Sequence, residues 1–292
     1  MQIGMRIGVV FPQTELGGDP GAVRAYGERV EELGFTHVLA YDHVVGADTS
    51  VHQGWTGPYD IDTTFHEPLV MFGFLAAVTT RLELVTGVII LPQRQTALVA
   101  KQAAEVDLLS GGRLRLGIGV GWNAVEYEAL GEQFTDRGKR SEEQLELLRL
   151  LWTQRSVTFD GRYHRVTGAG IAPLPVQRPI PLWIGAAAPR GYARVGRLAD
   201  GWFPLMQPGP KLDAARAVVD DAARDVGRDP SQIGMEGRVT WQNDLDRALA
   251  EIGGWAAAGA THLTVSTMGA GLHTVDDHLA VLESVAVGAG LS

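Results

Sequence analysis

The chain has 292 residues, no cysteine, and 25 basic against 34 acidic side chains, for a formal charge of −9. Without cysteine there are no disulfides, thiolate nucleophiles or cysteine-held zinc or iron–sulfur centres, which fits a reducing compartment. The acidic balance, with arginines scattered among acids, weighs against a nucleic-acid partner, because phosphate binding needs clustered Lys and Arg. A hydrophobic share of 45% and a charged share of 20% match a folded globular chain rather than a disordered one. Met1–Gly8 (MQIGMRIG) leads directly into a strand-like run with no apolar signal-peptide core. The longest apolar run, Leu84–Leu91, is strand-sized and far short of the ~20 residues of a membrane span. The expectation is therefore a cytoplasmic protein with no membrane association.

In chain order, β-branched runs alternate with amphipathic helices. Arg6–Pro12 reads as a strand. Pro20–Leu33 reads as a helix with Val23, Tyr26, Val30 and Leu33 on one stripe, stopped by Gly34. Thr36–Tyr41 is the second strand, Glu67–Thr79 a helix, Leu82–Leu91 the third strand and Ala97–Leu109 a helix. Arg113–Val120 (RLRLGIGV) is the fourth strand and Ser141–Trp152 a helix. Val157–Val166 reads as a hairpin around Asp160-Gly161, followed by a Pro-rich crossing with Pro173, Pro175, Pro179 and Pro181. Strands at Pro181–Ala186, Gly201–Leu205, Ile233–Trp241 and Thr261–Thr267 then alternate with helices at Arg190–Leu198, Leu212–Val226, Asp244–Ala257 and Val275–Val285.

Eight strands alternating with about eight helices imply a parallel sheet, and in this length a closed (β/α)8 TIM barrel over residues 1–292 as one domain, with insertion loops at its C-terminal face. A doubly wound sheet is the alternative. In a barrel the chemistry lies where the strands end, and this directs attention to a few places. Asp42-His43 follows strand two. The Asp can tune or bond a ligand and the imidazole can give or take a proton, or the pair is a capping Asp beside an incidental loop His. Gly117-Ile-Gly-Val-Gly121 has GxGxG spacing, begins inside its strand and lacks the downstream acid of a dinucleotide site. Its glycines either let a flat ring approach the backbone or pack the strand tightly. Gly185-Ala-Ala-Ala-Pro-Arg190-Gly191 joins a strand to a helix start, where small residues, a helix dipole and Arg190 suit an anion. The alternative is a short turn with Pro189 in the first helical turn. The histidines lack metal-ligand spacing, and no strand-end carboxylate pair suits glycoside hydrolysis. What remains is a barrel that binds a flat, anionic cofactor.

The YDHV segment, LELVTGVIILPQRQ, RLRLGIGVGWNAVEYEALG, PLWIGAAAP with RLADGWFP, and THLTVSTMGAGL, in that order, resemble the luciferase-like monooxygenase superfamily, and within it the branch that uses the deazaflavin coenzyme F420. The resemblance implies a (β/α)8 barrel, usually a homodimer, with the cofactor ring across its mouth. It implies that His43 is the catalytic residue that stabilises or protonates the reacting species. Asp42 matches a cofactor-bonding position, Gly87-Val88 a non-proline cis peptide behind the ring, and Val120 and Gly121 positions that line the cofactor. Ala187, Ala188, Arg190 and Gly191 match a phosphate loop. The sugar-phosphate dehydrogenases of this branch carry a glutamate where this chain has Trp122, and their substrate lysines have no match here. Trp55, Tyr59, Trp122, Trp241 and Met268 instead suggest a more apolar or aromatic substrate pocket.

Three functions follow from this reading. The first is F420-dependent hydride transfer to or from a small molecule. The second is an FMN-dependent two-component monooxygenase fed by a flavin reductase. The third is a non-catalytic cofactor-binding barrel.

Overall fold

The computed structural model describes residues 4–291. Eight parallel strands form the barrel: β1 (Arg6–Val10), β2 (His37–Ala40), β3 (Glu83–Thr86), β4 (Leu114–Gly119), β5 (Leu182–Ala186), β6 (Gly201–Pro204), β7 (Gly234–Thr240) and β8 (His262–Ser266). Each pairs with its neighbours in chain order, and Arg6–Val9 of β1 in register with His262–Val265 of β8 closes the ring. The doubly wound alternative is thereby excluded.

The helices that cover the barrel are α1 (Pro20–Glu32), α2 (Pro68–Val78), α3 (Thr96–Ser110), α4 (Arg137–Thr153), α5 (Pro189–Leu198), α6 (Pro210–Arg224), α7 (Leu245–Ala257) and α8 (Val275–Ala289). Their ends follow capping chemistry. The Asp19 side chain accepts from Gly21 N–H ahead of Pro20, and Thr274 and Asp277 form a reciprocal capping box that starts α8. The apolar stripe of α1 buries Val23, Tyr26 and Val30, and the Tyr26 hydroxyl donates to the Val10 carbonyl at 2.9 Å. Trp152 of α4 is fully buried and donates its indole N–H to Ala100 of α3 at 3.0 Å. No helix among the described residues is long and apolar enough to cross a membrane.

The structure departs from the sequence reading in three places. The third strand is broken after Thr86. It resumes as the short strand Ile89–Ile90, which pairs with Ile118 and Gly119, and ends in a single tight turn at Leu91–Gln93. Helix α4 begins at Arg137, earlier than its apolar stripe, because its first turn is anchored by Arg140 to Asp136 and to the Gln133 and Pro92 carbonyls. Two short helices, Gln13–Leu16 and Ala124–Ala129, are too brief to show a periodic pattern. The hairpin is present as Val157–Asp160 paired with Arg165–Ala169.

Two layers fill the lumen. The upper one is apolar: Val10, Leu39, Val85, Trp183 and Phe203. The lower one is charged. Arg115 of β4 is buried with Glu236 of β7 on one side and Glu83 of β3 on the other, the latter at 3.1 Å. Its guanidinium lies 4.3 Å from the ring centroid of Trp183, and Glu236 also meets His37 Nε2 at 3.0 Å. Burial alone would push the Glu236 carboxyl up, but Arg115 and His37 outweigh it and bring it down to about 2. Burial, helped by the nearby Arg115 charge, lowers His262 to about 3, so it stays neutral.

A carboxyl depressed in the fold adds stability above its unfolded pKa of about 4.3, and that stability is lost as pH falls through the folded value. Urea unfolding followed from neutral pH downward is expected to show stability falling below about pH 4 as Glu236 takes up its proton. Glu236→Gln should start less stable, by about 3–5 kcal/mol where the buried Arg115 loses its counter-charge, and should show a shallower acid slope. An unchanged acid slope in the variant would remove Glu236 as its source.

Candidate active site

The C-terminal mouth of the barrel opens into a cavity of about 410 Å³, within the usual range for small-molecule sites. Its walls come from the ends of β2 to β8 and from the long loop between β2 and α2. Many of the residues singled out in the sequence line it, among them Asp42, His43, Tyr59, Gly87, Val88, Val120, Gly121, Trp122 and Ala187.

One wall is built by the break in β3. The Gly87–Val88 peptide is cis, and Val88 stands against β4 and β5. A Cβ on Gly119 would lie 2.5 Å from Val88 Cγ2, one on Gly185 3.3 Å from Val88 Cγ1, and one on Gly121 2.7 Å from Ile90 Cγ2. At Gly119 and Gly121 the missing Cβ makes room for Val88 and Ile90, and both glycines also line the cavity.

Asp42 is buried and holds this wall in place. Its Oδ2 accepts from Ile90 N–H at 3.1 Å, and its Oδ1 accepts from Arg94 Nη2 at 2.7 Å. Arg94 Nη1 donates to Glu67 at 2.9 Å, and the other oxygen of Glu67 caps α2 through Val70 N–H. Gln144 of α4 fixes the same loop through the Leu91 and Arg94 carbonyls, both at 3.1 Å. Burial pushes the Asp42 carboxyl up, and Arg94 and the Ile90 N–H pull against it.

His43 sits in an aromatic box, with ring centroids 4.8 Å from Phe65, 4.9 Å from Tyr59 and 5.8 Å from Trp122. Its Nδ1 lies 3.7 Å from Glu126 Oε1. Glu126 is buried on the short helix Ala124–Ala129, whose first turn is capped by Asn123. Its carboxylate also accepts from the Val44 N–H and from Gln93 Nε2 at 3.0 Å. Burial raises the Glu126 carboxyl, but His43, the Val44 N–H and Gln93 together bring it below its ordinary value. Glu126 is thus an anion at neutral pH, and its carboxylate faces Nδ1 of His43 at ion-pair distance, too far for a hydrogen bond. Neither ring nitrogen of His43 has a hydrogen-bond partner among the described residues.

The remaining sequence candidates sit elsewhere. Ala188, Arg190 and Gly191 form the start of α5 beside the cavity, with Ala188 in the capping position and no side chain capping the first turn. Trp55 lies behind Trp122, 5.6 Å between ring centroids, because its indole N–H donates to the Tyr59 carbonyl and folds the loop on itself. Trp241 bonds Asn243 and packs against the main core, and Met268 packs on the apolar lumen cluster. Of the five expected pocket residues, Tyr59 and Trp122 line the cavity; Trp55, Trp241 and Met268 do not.

Residues 1–280 match the luciferase-like monooxygenase family. The chain belongs to that family. It is an oxidoreductase. An uncharacterised member from Mycobacterium tuberculosis is 30% identical over 223 residues, 75% of each chain. An F420-dependent glucose-6-phosphate dehydrogenase of Microbacterium testaceum is 28% identical over 269 residues, 89% of this chain and 76% of the relative. Among solved structures, an F420-dependent secondary alcohol dehydrogenase shares the fold with a TM-score of 0.80 over 98% of this chain and 99% of its own, at 17% identity.

Two residues of this family member's site escaped the sequence reading. Glu126 falls three residues after Asn123, the spacing of a helix cap and its N3 acid, and that signal could have found it. Arg238 lines the cavity from β7 and donates to the Tyr41 hydroxyl at 3.0 Å, and nothing in the strand pattern marks it.

Asp42→Ala should leave Arg94 without one of its two carboxylates and free the Ile90 N–H. Its expected cost is about 3–5 kcal/mol in chemical denaturation, the scale for breaking a buried ion pair. A loss below about 1 kcal/mol, the scale of an exposed pair, would show that Asp42 does not hold the wall.

Proposed function

We propose that the chain is an F420-dependent oxidoreductase that transfers a hydride between the deazaflavin and a small organic substrate. The observation that carries this reading is one cavity lined by both the apolar Val88 wall and the His43 imidazole, with a helix start that no side chain caps at its edge. The F420-dependent relative supports the choice of cofactor.

The residues present fit such a group. A cavity of about 410 Å³ with glycine and valine walls suits a flat ring system. In the first turn of α5 the Arg190 N–H would meet a phosphate, with the Arg190 side chain adding a fixed positive charge, while Pro189 has no N–H and Gly191 donates to the Ala188 carbonyl at 2.8 Å. Gly87, Val88, Val120 and Gly121 would hold the ring, with Asp42 keeping their wall in position. Ala187, Ala188, Arg190 and Gly191 would hold the phosphate. When bound, the deazaflavin supplies a carbon that accepts or donates a hydride.

The chain's own part is orientation and proton handling. His43 is the catalytic residue, holding or delivering a proton at Nε2, with the Glu126 carboxylate on its Nδ1 side. Tyr59, Phe65 and Trp122 surround His43 and reduce the water around it. The substrate class that fits is a reducible carbonyl, imine or activated alkene on an apolar or aromatic frame. Homodimeric assembly, a cytoplasmic setting and an F420 reductase partner complete the reading.

The deciding experiment titrates the protein with F420 and with FMN, oxidised and reduced, followed by Trp fluorescence. Micromolar F420 binding with weak FMN binding is expected; the reverse would make the protein a two-component monooxygenase that depends on a flavin reductase. In a screen of the substrate class above, His43→Ala is expected to lower kcat about a hundredfold to ten-thousandfold while F420 affinity stays within about threefold. Glu126→Gln should lower kcat in the same direction by less. Full activity in His43→Ala would remove it from the chemistry.

A further inference from the structure

The inner face of β7 carries two charged residues in succession. Glu236 and Arg238 are two positions apart and point to the same face of the strand. Gly237 between them faces α7, where an added Cβ would meet the Trp255 ring. Glu236 is taken up in the lumen by Arg115 and His37. Arg238 stands one pleat nearer the mouth and lines the cavity. Its Nη1 donates to the Tyr41 hydroxyl at 3.0 Å, and its other guanidinium nitrogens have no protein partner among the described residues. Asp42 and Glu236, the other permanently charged residues that line the cavity, are each paired with an arginine. Glu15, the acid that follows β1, is engaged by the Gly269 N–H at 2.8 Å and the Thr14 hydroxyl at 2.7 Å. Arg238 thus brings an uncompensated positive charge to the cavity of a chain whose net charge is −9.

Two hydroxyls accompany it. Tyr41 accepts from Arg238 and keeps its own proton free to donate. Tyr59 also lines the cavity, and its hydroxyl has no hydrogen-bond partner among the described residues. Burial, helped by Tyr41, raises the Tyr59 phenol against the pull of Arg238, so it stays a donor at neutral pH. The Tyr59 ring packs against His43, with 4.9 Å between ring centroids. Tyr59 therefore links the imidazole to the charged corner. Strands β3 and β7 are four places apart in a ring of eight, so Arg238 faces the Val88 wall from the opposite side. With the cofactor ring held at that wall, the space between His43 and Arg238 is left for the substrate.

We propose that Arg238, with the Tyr41 and Tyr59 hydroxyls, binds a carboxylate on the substrate. The proposal rests on the reading of this cavity as the site of hydride transfer. A guanidinium presents a fork of N–H donors that matches a carboxylate. One guanidinium and two neutral hydroxyls balance a single negative charge, whereas a phosphate dianion would be left half compensated. The substrate is then an acid whose carbonyl, imine or activated alkene lies within a few atoms of its carboxylate, because Tyr59 alone spans the gap to His43. Held at that end, the reducible group is turned toward the imidazole, and contacts made away from the reacting atoms supply the orientation. Arg238 is in this sense a specificity-determining residue.

The test loads the full chain with oxidised F420 and titrates in cinnamate, crotonate and phenylpyruvate, each beside its methyl ester, by isothermal titration calorimetry. At least one acid should bind about tenfold to a hundredfold more tightly than its ester, the scale of charge-assisted hydrogen bonds. Arg238→Gln should bring that acid down to the level of the ester. Arg238→Lys should recover only part of the preference, since an ammonium keeps the charge and loses the fork. F420 affinity should not change in either variant, which also shows that both fold. If no acid in the panel binds more tightly than its ester, or if the preference survives in Arg238→Gln, the carboxylate site is overturned and the F420 reading stands. If the chain binds FMN and not F420, the F420 reading fails, and the same acid–ester comparison on the FMN-loaded chain decides the carboxylate site by itself.

Discussion

The buried guanidinium of Arg115 is the contact around which the barrel interior is organised. A closed ring of eight strands must fill its lumen, and this chain fills the lower half with charge. A cation in that position requires counter-charge from other strands. Glu236 reaches it from β7 and Glu83 from the adjacent β3, so the network ties β7 to strands that it does not neighbour in the sheet. Trp183 lies over the guanidinium and belongs to the apolar layer above, with Leu39, Val85 and Phe203. That layer is the floor on which the ring cavity stands, since Leu39 and Phe203 also line the cavity. Such a network is weak evidence for net stability, because desolvating the charges offsets much of their attraction. What it supplies is a fixed relation between opposite sides of the ring.

Above the floor, the site depends on a second fixed relation, between the broken β3 and the strands beside it. Val88 can stand where it does only because β4 and β5 present glycine at 119 and 185. Asp42 then ties the end of β2 to Ile90, and Arg94 extends the tie to the cap of α2. Asp42 therefore reads differently from its neighbour His43. Both of its oxygens already hold protein groups, so its role toward a cofactor runs through the wall it positions. Neither ring nitrogen of His43 is hydrogen-bonded among the described residues, and the carboxylate that faces it comes from a different loop. In the proposed function, residues adjacent in sequence thus serve support and chemistry separately.

Most of the architecture was legible because it follows periodicity. Helical stripes such as Val23, Tyr26 and Val30, and strand runs bounded by turns, gave eight units and hence the barrel. The break in β3 was not legible from pattern, since LVTGVIIL is a continuous apolar run; only family resemblance pointed to Gly87-Val88. The strand-end rule placed Asp42, His43, Val120, Gly121 and Ala187 at the cavity. It failed for Trp241 and Met268 because a position at a strand end does not fix the direction of a side chain. It missed Glu126 because that residue belongs to a six-residue helix inside a loop, and its partner His43 is 83 positions away by residue number. Contacts of that kind are set by tertiary packing, which a single sequence does not display.

The charge distribution links these parts. Around the ring cavity each carboxylate is locally satisfied: Asp42 by Arg94, Glu126 by His43, Val44 and Gln93, and Glu236 by Arg115 and His37. An apolar ring and a substrate therefore meet little net field from these acids, although the chain as a whole is acidic. Arg238 aside, the uncompensated cations lie outward from the cavity: Arg190 at the start of α5, Lys139 of α4 and Arg162 at the hairpin turn. A surface with a general negative charge repels anions, so a local run of cations steers an anionic ligand to one approach and one orientation. Paired acids at the reacting end and positive walls at the trailing end make the site polar along its length. This polarity follows from which carboxylates have been paired and which arginines have not.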